Sequence, residues 1–206
     1  MKLFHYPKSR HVRKQVPPVF TSYRRYKPFL QTEFDSICVY CRTPDFVPSS
    51  GNFGVEHYLP KSKFPELENV YSNLFFACNA CNRRKGAYYP DTEEARRRRF
   101  VPNQCDHTMY DHLRMSGATV NAHSDAGKFT IELLGLNDEG FNQKRSLILV
   151  IVDALKNSIH ESERKLSQLK ALIDSDTPPP GAEQDFADLM NAKEGFVKEL
   201  TRFRCY

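Results

Sequence analysis

No hydrophobic run in this 206-residue sequence is long enough to cross a membrane. The longest unbroken apolar stretch is residues 147–152, whereas a transmembrane helix needs about 20 apolar residues. Residues 1–10 also lack the apolar core and the small-residue cleavage site of a secretory signal. We therefore expect a cytoplasmic protein with no membrane partner, built as one domain or as a small domain with appendages.

Acidic residues are missing from residues 1–30, which carry eight basic side chains: Lys2, Lys8, Arg10, Arg13, Lys14, Arg24, Arg25 and Lys27. Aromatic residues lie between them, and four prolines punctuate any helix. We predict that residues 1–30 form a basic extended arm. Cations interleaved with rings suit a polyanion whose phosphates pair with charges and whose bases stack. A solvated basic tail is an equally good interpretation of the charge alone.

The six cysteines are expected to be metal ligands or free thiols, because disulfides are rare in the cytoplasm. Four of them form two Cys-x-x-Cys pairs separated by a 36-residue insert: Cys38, Cys41, Cys78 and Cys81. Two such pairs supply the four sulfurs that tetrahedral Zn²⁺ prefers, and a site closed by four cysteines is structural. Cys105, beside Asp106 and His107, and Cys205 have no matching pair, so we interpret them as structural or incidental.

We predict three regions along the chain. The arm is followed by a zinc-stapled core over residues 31–100, which ends in a helix with acidic residues at 91–94 and arginines at 96–99. Residues 101–206 are predicted to be a loop-rich connection followed by helices. Within the connection, the alternation of residues 128–133 favours a short strand.

Two helices are predicted in the last region, over residues 141–174 and 182–203. The first has apolar residues at alternating four- and three-residue steps, and three consecutive prolines at 178–180 end it. The second carries its phenylalanines and leucines on one face. We expect an antiparallel helical hairpin, whose apolar stripes either close an internal core or bind a partner.

Polar residues suited to phosphodiester hydrolysis lie inside and just after the cysteine insert. They are Glu56-His57, then Asn73-Leu74, then the run Cys78-Asn79-Ala80-Cys81-Asn82-Arg83-Arg84-Lys85-Gly86. A histidine can take a proton from water at neutral pH. A carboxylate and an amide oxygen can bind a hard cation. These are the components of a one-metal phosphodiesterase.

In order and spacing, residues 36–86 resemble the HNH endonucleases, in the branch braced by two Cys-x-x-Cys knuckles. The resemblance implies an α+β fold with a small ββα-metal (treble-clef) core. It also implies that His57 is the general base, that Glu56 and Asn82 ligate a catalytic Mg²⁺ or Mn²⁺, and that Asn73 orients the histidine-bearing loop. Asn82 stands where the family name has its last histidine, and its amide oxygen suits Mg²⁺.

Four basic residues near these motifs are candidates for contacts with the nucleic-acid backbone: Lys61, Arg83, Arg84 and Lys85. Basic side chains on a helix need no partner, so for those at 83–85 a solvated helix surface is an equally good interpretation.

A second, shorter resemblance concerns residues 130–137 and the following Lys144-Arg145. They are similar to the C-terminal part of HNH proteins encoded with retrons and with the Septu antiphage system. The resemblance implies an ABC-type ATPase partner, or the reverse transcriptase and non-coding RNA of a retron. The helical hairpin would then dock on the partner.

Three functions compete at this point. We favour a metal-dependent endonuclease, acting on DNA rather than RNA, as the effector of an antiphage defence complex. The alternatives are a non-catalytic zinc module that binds nucleic acid and an assembly subunit with a degenerate site. The intact set of Glu56, His57, Asn73 and Asn82 favours the first.

Overall fold

The computed structural model describes residues 4–47 and 52–204. The chain forms two compact units, one ending at Ser146 and the other beginning at Leu147. The first unit contains α1 (Lys27–Glu33), β1 (Phe53–His57), β2 (Leu74–Cys78), α2 (Asn79–Lys85), α3 (Glu93–Arg98), α4 (Met109–His112), β3 (Leu113–Ser116), β4 (Thr119–Ala122) and α5 (Asp125–Leu134). Helix α6 (Glu139–Ile173) runs from the first unit into the second, which also contains α7 (Ala182–Arg204). Mixed helices and small sheets confirm the predicted α+β class.

Strands β1 and β2 pair antiparallel, with Glu56 opposite Phe75 and His57 opposite Leu74. Every residue of β2 is buried, as its unbroken apolar sequence requires. Helix α2 follows β2 directly, and the sulfur of Cys78 accepts a hydrogen bond from the backbone N–H of Cys81 at its start. This strand–strand–helix unit is the ββα core that the sequence predicts.

The basic arm is packed on this core rather than extended into solvent. Its Arg13 guanidinium lies over the rings of Phe34, Tyr71 and Phe75 and donates to the carbonyl of Leu74 at 2.7 Å. Helix α1 also crosses the predicted boundary between residues 30 and 31. Cation–π contacts and a carbonyl acceptor thus stabilise the Arg13 cation on the core, which a count of charges along the sequence does not show.

Residues 101–146 differ most from the prediction. The expected strand at 128–133 is wrong: these residues belong to α5, which Ser124 caps by accepting from Gly127 N–H and which ends at Gly135 with φ 55°. The expected loop-rich connection contains α4 and the β3–β4 hairpin. Its apolar residues Met109, Leu113, Val120, Leu134 and Leu136 join the main hydrophobic core. The predicted domain boundary at 100/101 therefore falls inside the first unit.

The predicted helical hairpin is present as α6 and α7, whose bounds differ from the predicted ones by at most two residues. Lys193 of α7 pairs with Glu163 of α6 at 3.1 Å, and Leu166 and Leu200 are buried. Among the described residues, no helix combines the length and the apolar character of a membrane span. Cys205 lies outside the described residues.

Candidate active site

The four predicted cysteines come together in the first unit. Their sulfurs all lie within 4.8 Å of one another, and those of Cys41 and Cys78 are 3.8 Å apart. Tetrahedral Zn²⁺ holds sulfur at about 2.3 Å, which places neighbouring sulfurs about 3.8 Å apart. All four side chains are buried. The cluster therefore fits a closed zinc site with no position open for a substrate.

Two arginines accompany the sulfur cluster, one half-buried and one fully buried. Arg42 follows Cys41 in sequence, and Arg145 is fully buried with hydrogen bonds to the carbonyls of Ala118 and Leu136. Each has a buried guanidinium nitrogen, Nε of Arg42 and Nη1 of Arg145, with no hydrogen-bond partner among the described residues. Burial lowers the pKa of Arg145, while the charges of Tyr6 and Cys41 act to raise it. A zinc ion bound by four thiolates is a dianion, so two nearby cations suit it.

The sulfur cluster joins the end of β2, through Cys78, to the start of α2, through Cys81. Lys85, at the end of α2, reaches back to β1. Its Nζ lies 2.6 Å from Oε1 of Glu56 and 2.9 Å from the backbone oxygen of His57. The Tyr40 hydroxyl donates to the same Oε1 at 3.4 Å. Burial raises the pKa of Glu56 to about 7, and the charge of Lys85 acts in the opposite direction.

His57 ends β1 on a half-buried surface. Its Nε2 lies 2.9 Å from the backbone oxygen of Glu68. Because a carbonyl only accepts, Nε2 carries the hydrogen, and Nδ1 is the basic nitrogen of the neutral ring. Burial lowers the pKa of His57 below its usual value. The ring is thus neutral at pH 7 and has its proton-accepting nitrogen fixed by the bond to Glu68.

The two predicted asparagines are both tied to the backbone near His57. The Oδ1 atom of Asn73 accepts a hydrogen bond from the backbone N–H of Leu59 at 2.8 Å. Its Nδ2 donates to the backbone carbonyls of Leu59 at 3.0 Å and of Leu67 at 3.3 Å. Asn82 on α2 donates through Nδ2 to the carbonyl of Val55 at 3.1 Å. That bond leaves the amide oxygen of Asn82 as the atom suited to a cation.

The four basic candidates for phosphate contact have different surroundings. Lys61 and Arg83 are exposed, although Lys61 also pairs with Glu68 at 3.0 Å. Arg84 is exposed too, but it departs from a solvated helix-surface cation because its guanidinium binds the carbonyls of Leu134 and Gly135 and pairs with Asp138 at 2.7 Å. These are the carbonyls at the C-terminus of α5, where a cation is favoured.

Lys85 also departs from the expected position on the helix surface. Its side chain is 2% exposed and is held by Glu56, because a buried carboxylate needs a counter-charge. Lys61 and Arg83 therefore remain the candidates for contacts with the nucleic-acid backbone.

Two tyrosines of the site were missed by the sequence reasoning. The ring of Tyr23 meets the His57 ring edge-on with centroids 4.7 Å apart, and the Tyr40 hydroxyl reaches Glu56. Tyr23 lies in the basic arm, outside the recognised motif. Tyr40 lies between Cys38 and Cys41, and the Cys-x-x-Cys spacing predicts a role for the sulfurs but none for the residues between them.

The closed sulfur cluster thus lies against a ββα unit that carries His57 on its first strand and Asn82 on its helix. Residues 38–87 match the family model described as HNH endonuclease. The Septu protein PtuB of Bacillus thuringiensis is 31% identical over 100 residues, which cover 48% of this chain and 36% of that protein. The chain thus spans about a third of this relative's length. No solved structure matches the chain. The resemblance to HNH nucleases and to Septu is confirmed.

Proposed function

We propose that this protein is a metal-dependent endonuclease that hydrolyses phosphodiester bonds of nucleic acid, with DNA as the favoured polymer. The observation that carries the proposal is the fixed ring of His57 within the residues that match the HNH family. A neutral imidazole whose Nε2–H is committed to a carbonyl has Nδ1 as its basic nitrogen. The position of such a ring is set by the fold before any substrate binds.

In this proposal His57 takes a proton from water at Nδ1, and the resulting hydroxide attacks phosphorus as the P–O bond to the departing sugar oxygen breaks. The departing oxygen then takes up a proton from solvent. The charge that forms on the ring is accommodated by the Glu68 carbonyl, which accepts the Nε2–H. Asn73 keeps the loop after β1 in place through its three bonds to Leu59 and Leu67. The edge of Tyr23 restricts rotation of the imidazole.

The oxygen atoms of Glu56 and Asn82 are suited to a hard divalent ion, either Mg²⁺ or Mn²⁺. One carboxylate and one amide leave most positions of an octahedral ion to water and phosphate, as Mg²⁺ prefers. Such an ion would neutralise charge on the phosphate oxygens. Lys85 and Tyr40 both contact Oε1 of Glu56, so Oε2 is the oxygen proposed for the ion.

Cleavage of end-labelled DNA and of total RNA tests the proposal. The zinc-loaded chain is incubated with each polymer in Mg²⁺, in Mn²⁺ or in EDTA, and the products are resolved on a denaturing gel. We expect internal cuts in DNA with either ion and none in EDTA. Cutting that persists in EDTA would contradict the metal requirement. Cleavage of RNA alone would replace DNA as the substrate, and no cutting of either polymer would favour the non-catalytic zinc module.

We further propose a role in antiphage defence, in the cytoplasm, alongside a partner. The likeness to Septu protein PtuB supports the role. The partner is proposed to be an ABC-type ATPase, with a retron's reverse transcriptase and RNA as the alternative assembly. Apolar side chains exposed on α6 support a docking role for the helical hairpin: Leu147, Val150 and Ile151. Failure of the purified chain and its cognate ATPase to co-elute at micromolar concentration would contradict the ATPase partnership.

A further inference from the structure

A cavity of about 230 Å³ begins at the residue that follows His57. Five rings and one guanidinium contribute to its wall: Tyr58, Tyr88, Tyr89, Phe100, His107 and Arg96. Lys85 also lines it, and no acidic residue does among the described residues. A wall that is aromatic and basic favours a flat, electron-rich ligand attached to an anion.

The rings of this cavity are held in place by neighbours outside it or by one another. Phe100 stacks on His107 with centroids 4.8 Å apart and an interplanar angle of 30°. Tyr89 meets Phe64 edge-on at 4.9 Å, and Tyr88 packs on Phe129 at 4.8 Å while its hydroxyl donates to the Arg99 carbonyl. Ring positions fixed in this way lower the entropy cost of binding a planar group.

Lys85 connects the cavity to the proposed active site. The ammonium group that contacts Glu56 and the His57 carbonyl belongs to a residue that also lines the cavity. Arg96 also lines the cavity and is exposed, with its guanidinium 5.6 Å from the centre of the Tyr89 ring. A nucleotide whose phosphate lies at His57 carries its base on the adjoining sugar, within reach of this cavity.

We propose that the cavity binds one unstacked nucleobase next to the phosphodiester that is cut. This inference rests on the proposed nuclease function and specifies its substrate class, which is single-stranded or locally unpaired nucleic acid. A base inside a duplex is stacked on both faces and reaches such a pocket only after it is unstacked, which costs free energy. Stacking on Tyr89 and attraction to the charge of Arg96 offset the free-energy cost of unstacking, without selecting a particular base.

Binding, measured without cleavage, tests the inference. The full chain carrying His57→Ala is titrated into single-stranded oligonucleotides that contain one fluorescent 2-aminopurine, and into the same sequences as duplexes. We expect a change in 2-aminopurine fluorescence with the single strand at one position along the oligonucleotide. Affinity for the intact duplex should be at least about tenfold weaker. Equal affinity for both forms would overturn the inference.

Matched variants in the His57→Ala background locate the base. Tyr89→Leu should weaken single-strand binding about tenfold, since the stacking of one base is removed, whereas Tyr110→Leu, outside the cavity, should leave it within twofold. Arg96→Ala should weaken binding more than Arg97→Ala, its neighbour on α3 that pairs with Glu93. Equal losses in each pair would overturn the inference.

An abasic series keeps the test independent of how well Tyr89→Leu folds. Oligonucleotides that lack one base at successive positions are titrated against the His57→Ala chain. One position should show about tenfold weaker binding, and the others little change. A uniform response would contradict a base pocket. Because no step here requires cleavage, base-dependent binding together with an inactive wild type would overturn the nuclease proposal and keep the pocket.

Discussion

Glu56 and Lys85 form an ion pair 2.6 Å long between side chains that are each 2% exposed. Breaking a buried pair by removal of one partner leaves the other desolvated and uncompensated. We therefore expect Lys85→Met to lower the free energy of unfolding by about 3 kcal/mol. Urea unfolding in the presence of excess zinc measures it.

The double variant Glu56→Gln/Lys85→Met is the control for this pair. With both charges gone, the loss should be smaller than for Lys85→Met alone, since a neutral pair leaves no buried ion. Two results would show that Glu56 and Lys85 are not coupled. One is a Lys85→Met chain as stable as the wild type. The other is a double variant whose loss of stability equals the sum of the losses measured for Glu56→Gln and Lys85→Met alone.

Removal of one sulfur ligand should release the zinc. Cys78→Ser leaves three thiolates, and because metal binding supplies folding free energy to a small core, we expect loss of bound zinc and of the first unit's secondary structure. Elemental analysis and circular dichroism measure the two. Cys105→Ser, a cysteine outside the cluster, should retain about one zinc ion per chain. Equal zinc content in both variants would contradict the four-sulfur site.

The buried Glu33 holds the basic arm. Its carboxylate accepts from the backbone N–H groups of Lys14 and Gln15 and lies 2.7 Å from Nε2 of His11. Burial acts to raise the pKa of Glu33, but these hydrogen bonds outweigh burial, and the net pKa lies below its usual 4.5. The ionised group therefore stabilises the fold above about pH 4.5, and this contribution is lost as the pH falls through the lowered pKa.

Glu33→Gln should accordingly reduce the free energy of unfolding by about 2 kcal/mol at pH 7. The difference from the wild type should shrink as the pH falls below about 4.5. Denaturant unfolding of both proteins between about pH 3 and 7 measures the difference. A difference that stays constant over this range would show that the Glu33 charge does not hold the arm.

Arg83 and Arg84 are neighbours on α2 for which the structure indicates different roles. Arg84→Ala should cost about 1 kcal/mol of stability, because the carbonyls at the end of α5 and Asp138 lose their cation. Arg83→Ala should change stability by less than about 0.5 kcal/mol. Instead, it should reduce the salt dependence of nucleic-acid binding by about one charge. A loss of stability in Arg83→Ala together with a reduced salt dependence in Arg84→Ala would instead indicate Arg84 as the phosphate contact.

The sequence was most informative where a pattern has one physical interpretation. Two Cys-x-x-Cys pairs predict a four-sulfur cluster because thiolates two residues apart reach one ion. Likewise, a stripe repeated over many turns predicts α6 and α7. The strand predicted at residues 128–133 was wrong because the alternation of apolar and polar residues there is too short to identify a strand. The Ser124 cap and the terminal Gly135 are the signals of the helix that forms there.

The contacts that long-range packing creates were beyond the sequence. From the sequence, Arg13 is only one cation in a basic run. The structure shows that its guanidinium lies over the rings of Phe34, Tyr71 and Phe75. Likewise, the sequence alone suggests that Lys85 is a charge on a helix surface, whereas in the structure its ammonium group pairs with the buried Glu56 of β1. Both cations are held by partners distant in sequence, and no local pattern encodes those partners.

The rate of cleavage by His57→Ala, compared with that of His123→Ala, tests the central claim most directly. His123 is an exposed histidine of the same unit, so both variants lose an imidazole and only one loses the proposed base. Single-turnover cleavage of labelled single-stranded DNA is followed in Mg²⁺, with zinc content and circular dichroism confirming the fold of each variant. We predict that His57→Ala cuts at least about 100-fold more slowly than the wild type and that His123→Ala cuts at the wild-type rate. Equal rates for His57→Ala and the wild type would contradict the account.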